Sequence, residues 1–83
     1  MPYIDRGLRD GIRRGKRPGT AGSLNFAVTD VVLTWLGPEP DYSDFNDAVG
    51  AIECAKLELY RRMVAPYEDR KCAENGDVYP EVT

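Results

Sequence analysis

The hydrophobic positions of this chain recur at helical spacing between three breaks, which are residues 15–20, residues 37–40 and Pro66. Between the first two breaks the main apolar residues lie four, three and four positions apart, and they are Leu24, Val28, Val31 and Trp35. This spacing places them on one face of a helix over residues 21–36. The Gly-Pro pair at the second break predicts its end, because glycine favours the left-handed conformation after a helix and proline cannot continue it.

A longer amphipathic segment runs from residue 43 to residue 64. Its main apolar stripe consists of Phe45, Val49, Ile52, Leu59 and Met63, and a second stripe consists of Cys54, Leu57 and Val64. Asp41 or Ser43 is expected to cap the first turn. Oppositely charged pairs at helical spacing, Glu53 with Lys56 and Glu58 with Arg62, indicate a solvated face. We expect this helix to be the longest element of the fold.

The two ends of the chain are predicted to form shorter helices. Ile4, Leu8 and Ile12 lie four apart, but two glycines weaken this segment, so a helix over residues 5–14 needs a docking surface. Pro66 is expected to kink or end the long helix, because the residue before proline avoids the α conformation. A short helix then follows Pro66 to about Asn75, and residues 77–83 form an irregular tail.

The sequence therefore predicts an all-α fold in one domain of residues 1–83. Two antiparallel main helices form the core, and short N- and C-terminal helices pack on them. Both main helices carry apolar residues over more than one face, which the short elements cannot cover. We therefore expect a helical-bundle homo-oligomer, most simply a two-fold dimer.

Charge is distributed unevenly along the 83 residues, whose net charge is −3. Residues 1–20 form a basic arm with a net charge of +4, and the remainder carries −7. We favour docking of this arm on the acidic part of its own or a neighbouring subunit. The alternative is binding of nucleic acid, for which the candidate residues are Arg6, Arg9, Arg13, Arg14, Lys16 and Arg17.

The composition excludes several kinds of catalytic and metal site. The chain has no histidine, which excludes catalytic triads with a histidine base. Its two cysteines are not in a C-x-x-C pair and cannot form a zinc site, and Asp44 and Asp47 fit the start of a helix better than a metal site. We expect no metal, no cofactor and no enzymatic activity. The cysteines are expected to be reduced and partly buried, with a Cys54–Cys72 disulfide as the alternative.

The chain shows no run of about 20 apolar residues and no signal-peptide pattern at its start, so we expect a cytoplasmic protein without a membrane span.

Two groups of polar residues are candidate ligand contacts. Tyr60, Arg61, Arg62 and Tyr67 surround Pro66, where the arginines can form a salt-bridged corner with Glu68 or Asp69. Alternatively these four residues can bind an anion or a nucleotide, since arginine binds phosphate and tyrosine stacks on a base. Asn25 and Thr29 lie among apolar residues, where a buried network between helices is favoured over the lining of a ligand pocket.

Several stretches resemble an uncharacterised small-protein family of phage, prophage and bacterial genomes. They are MPYI at residues 1–4, GSLNFAVT at residues 22–29, GAIECAKLELYRR at residues 50–62, APYED at residues 65–69 and ENGDVY at residues 74–79. This resemblance implies a phage-linked origin and no particular activity.

Three functions remain as hypotheses. The first is a phage or prophage accessory protein that binds a host or phage protein and is not an enzyme. The second is binding or sequestration of a nucleotide or another anionic small molecule at a subunit interface. The third is nucleic-acid binding by the basic arm.

Overall fold

The structure is a computed structural model that describes residues 1–80, and helices joined by short loops make up most of it. In chain order they are α1 (Arg6–Arg13), α2 (Ala21–Leu36), α3 (Tyr42–Leu59), a π-helical turn (Tyr60–Val64) and α4 (Ala65–Asn75). No strand occurs in this part of the chain, so the predicted all-α class is confirmed. The chain divides into a first unit, Met1–Ala48, and a second unit that begins at Val49.

Helix α2 begins and ends where the sequence predicts. At its start the Thr20 hydroxyl accepts the Ser23 backbone N–H at 3.1 Å, and the Ser23 hydroxyl accepts the Thr20 backbone N–H at 2.9 Å. This reciprocal capping satisfies two N–H groups that the helix itself leaves free. At its end Gly37 has φ of +72°, which a residue with a side chain rarely adopts, and its N–H bonds to the Leu33 carbonyl.

Replacing Thr20 by alanine is expected to lower the free energy of unfolding by about 1 kcal/mol, because the first turn of α2 loses its hydroxyl cap. Urea unfolding followed by circular dichroism measures this change. The matched control is Thr34→Ala, since the Thr34 hydroxyl only bonds back to the Asp30 carbonyl within the helix. Equal losses in the two variants would show that the cap does not stabilise α2.

The first unit has a small core at the contact between α1 and α2. Phe26 is buried there with 6% of its surface exposed, and Ser23 on the same side of α2 is 5% exposed. Gly22 lies close to the segment before α1, since a side chain added there would meet Ile4 at 3.5 Å. Helix α1, which its two glycines weaken, thus packs on α2 as expected. The Asp5 carboxylate caps α1 by accepting the Gly7 N–H at 2.8 Å.

The side of α2 that contacts α1 is not the side that carries the predicted apolar stripe. The stripe expected to be the core of α2 is exposed, with Leu24 at 56%, Val31 at 69% and Trp35 at 59%. From the 100° step of an α-helix, the stripe lies roughly 140° around the axis from the side with Phe26. Helical spacing identified an apolar stripe correctly, but the short α1 covers the other side of the helix.

The predicted start and surface pairs of α3 are confirmed. Asp41 caps the helix, because its carboxylate accepts the Asp44 N–H at 3.0 Å while the Asp44 carboxylate accepts the Asp41 N–H at 3.0 Å. The lysine of the first charged pair lies 3.1 Å from Glu53, and Arg62 of the second lies 3.7 Å from Glu58. These pairs are exposed and each stabilises the helix by only a few tenths of a kcal/mol, roughly 0.2–0.5.

The chain remains helical through Pro66, so the long helix does not end at this proline. The π-helical turn Tyr60–Val64 precedes the proline, and the Ala65 N–H bonds to the Tyr60 carbonyl, five residues back. Proline has no N–H, and its ring collides with the carbonyl four residues earlier in a regular α-helix. The wider turn accommodates the proline, and Pro66 lies in the first turn of α4 as predicted. Gly76, with φ of +89°, then ends α4 after Asn75.

The second unit has no buried residue from Val49 to Pro80. Both cysteines are exposed, which corrects the prediction that their thiols are partly buried. Residues 77–80 are irregular as expected, and residues 81–83 of the predicted tail lie outside the described residues. The antiparallel pairing of the main helices, the single domain and the homo-oligomer stay predictions.

Candidate interaction surface

A large apolar surface of the first unit is the α2 face, which we define as Leu24, Val28, Val31 and Trp35. All four side chains are exposed, between 44% and 69%. They project from a helix that is capped at both ends, so their spacing is fixed before any partner binds. A contiguous apolar surface of this kind marks an interaction site more often than isolated exposed residues do.

The middle of the α2 face is a shallow groove with a volume of about 280 Å³. Only apolar side chains line it, those of Ala27, Val28, Val31 and Val32. Helix α2 carries a single charged residue, Asp30, and its carboxylate lies 3.2 Å from Nε of Arg13 in α1. The chemistry of the groove therefore suits an apolar side chain rather than a charged ligand.

Two residues of the predicted nucleic-acid set hold the basic arm against α2. The guanidinium groups of Arg9 and Arg13 lie 5.9 and 5.1 Å from the centre of the Phe26 ring. Nε of Arg9 also donates to the Ile4 carbonyl at 2.8 Å. Cation–π contact and the pair with Asp30 thus engage these arginines within the chain.

The other four basic residues of the arm are exposed, and they are Arg6, Arg14, Lys16 and Arg17. Arg6 lies at the start of α1, whereas the others lie at or after its end, so they are not brought together on a single helical face. The positions of these four side chains do not favour contact with nucleic acid over exposure to solvent, and nucleic-acid binding stays a prediction.

The four residues around Pro66 lie within or just after the π-helical turn. Arg61 donates to both carboxylate oxygens of Glu58 at 2.9 and 3.1 Å, and Arg62 lies 3.7 Å from the same residue. The arginines therefore pair with a residue before the turn rather than with Glu68 or Asp69 after it, which corrects the expected corner. Tyr67 contacts the cations of Arg70 and Lys71 at 5.8 and 5.7 Å from its ring centre. Nucleotide binding by these residues stays a prediction.

Asn25 and Thr29 interact within α2 rather than between helices. The Thr29 hydroxyl donates to the Asn25 backbone carbonyl at 2.8 Å, and it lies 3.3 Å from the Asn25 side-chain oxygen. Asn25 is exposed. A serine or threonine hydroxyl commonly bonds back to the preceding turn in this way, and the bond satisfies the group without a ligand.

Other chemistry is sparse in the described part of the chain. Residues 1–80 contain no group of three or more Cys, Asp or Glu side chains placed to hold a metal ion. A depression of about 400 Å³ lies between α4 and the segment after it, lined in part by Glu68, Asp69 and Lys71. It is open to solvent and mixes both signs of charge, so it selects no ligand. No helix among these residues is long and apolar enough to cross a bilayer.

A docking role for Phe26 and Asp30 was not predicted from the sequence. A usable signal was present, because these two residues lie four apart on α2 and Arg9 and Arg13 lie four apart on α1. An aromatic ring and a carboxylate at that spacing match two guanidinium groups at the same spacing. The match is recognised only when the side chains on one face of α1 are compared with those on one face of α2.

Comparison with known proteins gives one match. The model of the family described as Domain of unknown function (DUF6899) matches residues 1–78. No curated protein and no solved structure matches the chain. The matched residues include the basic arm, α2, the π-helical turn and α4. Since the match covers nearly the whole sequence, this chain belongs to the DUF6899 family.

Proposed function

We propose that this protein is a non-enzymatic binding protein that docks a partner protein against the α2 face. The observation that carries this proposal is the set of four exposed apolar side chains at spacings of four, three and four on one capped helix. This is the pattern by which a helix places its anchors in the apolar groove of a partner.

The geometry of the first unit supports a binding role for this side of α2. Helix α1 contacts the side with Phe26, where Arg13 also neutralises Asp30. The α2 face is therefore apolar and free of charge, and α1 packs on a different side of the same helix. The partner surface that fits it is an apolar groove or a second amphipathic helix.

Trp35 is expected to be the main anchor of this face. Tryptophan is enriched among the residues that dominate binding energy at interfaces, because it buries a large rigid area. The resemblance to phage and prophage proteins favours a partner of host or phage origin and an accessory role.

Photo-crosslinking in cells tests the proposal. Benzoylphenylalanine replaces Trp35 in one variant and Asn25 in a control, since Asn25 is exposed on the same helix but about 90° away from the α2 face. After irradiation we expect a discrete adduct with another protein from the Trp35 position and none from the Asn25 position. Mass spectrometry identifies the adduct.

Binding of the identified partner is then measured with purified proteins. Trp35→Ala is expected to weaken it at least about tenfold, whereas Asn25→Ala changes it less than about threefold. Absence of a specific adduct, or adducts only between copies of this chain, would contradict a role in binding another protein through this face.

A further inference from the structure

The last residue of α4 and the glycine that ends the helix form an Asn-Gly pair, Asn75 and Gly76. The helix end requires this glycine, because its φ of +89° is a conformation that residues with a side chain rarely adopt. The same glycine makes the asparagine labile, because no side chain hinders approach of the Gly76 nitrogen to the Asn75 side-chain amide. Asn75 is also exposed to water, which the reaction consumes.

We propose that Asn75 is a site of spontaneous deamidation, and that the last turn of α4 restrains the reaction until this turn opens. The Gly76 nitrogen, once deprotonated, attacks Cγ of Asn75 and closes a succinimide ring. The Cγ–Nδ2 bond breaks, and the amide nitrogen leaves as ammonia with the proton that Gly76 lost. Water then opens the ring. Cleavage of the bond from the ring nitrogen to Cγ gives aspartate, and cleavage of its bond to the backbone carbonyl carbon gives isoaspartate.

Two features of the folded helix oppose ring closure. The Gly76 N–H donates to the Cys72 carbonyl at 2.8 Å, so the nitrogen is not free to lose its proton. Asn75 belongs to α4, and ring closure requires rotation about its Cα–C bond away from the helical ψ of about −42°. Both restraints end when the last turn opens, because opening breaks the N–H bond and releases the backbone dihedral angles.

The last turn of α4 can open without the rest of the fold. None of its residues is buried, and its charged pair, Lys71 with Glu74 at 3.2 Å, is exposed. Segments with few buried contacts and exposed backbone hydrogen bonds open locally at low free energy. The rate of deamidation is therefore expected to follow the stability of this turn and not that of the whole protein.

Deamidation changes the charge at the end of α4. It places a carboxylate at the negative end of the helix dipole, directly after Glu74 and close to Asp77. Lys71 does not fully offset this charge, because it is already paired with Glu74 and precedes the new carboxylate, the less favourable order at this spacing. Isoaspartate also adds a backbone atom to the turn. Either product weakens the turn that restrained the reaction. The site lies on a different helix from the α2 face, and the proposal is independent of binding there.

Mass spectrometry of the full-length chain measures the reaction. The protein is incubated at neutral pH in buffer and in guanidinium chloride that unfolds it, and peptides containing each asparagine are quantified for replacement of the amide by a carboxylate. Asn25 and Asn46 are internal controls, since Phe26 and Asp47 follow them. We expect conversion first at Asn75, at a rate at least about tenfold lower in the folded protein. Equal rates in the two conditions, or conversion no faster at Asn75 than at the controls in the unfolded chain, overturn the proposal.

Two matched substitutions test whether the last turn sets the rate in the folded protein. Ala73→Gly lowers helix stability within this turn, and Ala51→Gly makes the same change in α3. We expect deamidation of Asn75 to be about fivefold faster in Ala73→Gly and unchanged within about twofold in Ala51→Gly. Equal acceleration in the two variants indicates that unfolding of a larger part of the chain controls the reaction, and an unchanged rate in Ala73→Gly indicates that the turn does not restrain it. Either outcome overturns the proposal.

Discussion

Replacing Phe26 by alanine is expected to lower the free energy of unfolding of the first unit by about 3–5 kcal/mol. Phe26 is one of two buried hydrophobic residues of the described chain, and α1 rests on its ring through Arg9 and Arg13. The variant loses the buried ring and both cation–π contacts together. Because α1 is short and contains two glycines, we expect it to unfold when this contact is lost.

Urea unfolding and amide hydrogen exchange measure this effect. The Phe26→Ala variant should lose exchange protection throughout α1, while the amides of residues 49–59, the part of α3 that lies in the second unit, are unchanged. The matched control is Leu24→Ala on the same helix, where the side chain is 56% exposed and the expected loss is less than about 1 kcal/mol. Similar losses in the two variants would contradict the placement of the core beneath Phe26.

The boundaries of the helices follow from the sequence because local chemistry determines them. Gly37 and Gly76 adopt the positive φ values that end α2 and α4. The Asp41 carboxylate accepts the Asp44 N–H at the start of α3, and the Asp44 carboxylate accepts the Asp41 N–H in return. Such signals act within one or two turns, and a sequence contains all the information that they need.

The choice of the buried face of α2 did not follow from the sequence. Both the stripe with Trp35 and the side with Phe26 present large apolar side chains, and helical spacing alone does not identify which one meets α1. The arginines of α1 decide it, since Arg13 reaches both the Phe26 ring and the Asp30 carboxylate. Arg13 and Asp30 are 17 residues apart in the sequence, so this preference lies beyond the range of any local pattern.

The candidate surfaces illustrate the same limit. Residues Tyr60, Arg61 and Arg62 were interpreted as part of a corner that faces Glu68 and Asp69. The π-helical turn keeps the chain helical instead, so each arginine reaches Glu58 in the turn before it. A proline predicts a disturbance of the helix, but whether the backbone kinks, stops or widens depends on hydrogen bonds that the sequence does not specify.

Replacing Pro66 by alanine is expected to convert the π-helical turn to a regular α-helix and to stabilise the helix by about 1–3 kcal/mol. The proline is the physical cause of the wide turn, because it supplies no N–H and its ring excludes the Arg62 carbonyl from the regular position. In the variant the Ala65 N–H should bond to the Arg61 carbonyl rather than to the Tyr60 carbonyl. Couplings across hydrogen bonds in nuclear magnetic resonance spectra identify the acceptor, and thermal unfolding measures the gain.

Gly50→Ala is the matched control for this gain in helix stability. A side chain added at Gly50 meets no atom within 4 Å, so alanine should stabilise α3 by about 1 kcal/mol without changing the turn. Gly50→Ala leaves the bond from the Ala65 N–H to the Tyr60 carbonyl unchanged, whereas Pro66→Ala removes the extra residue of the turn and rotates Tyr67 around the helix axis. A gain in stability in both variants, with a changed acceptor of the Ala65 N–H only in Pro66→Ala, would show that the proline causes the turn. A Pro66→Ala variant that keeps the bond from Ala65 to Tyr60 would show that it does not.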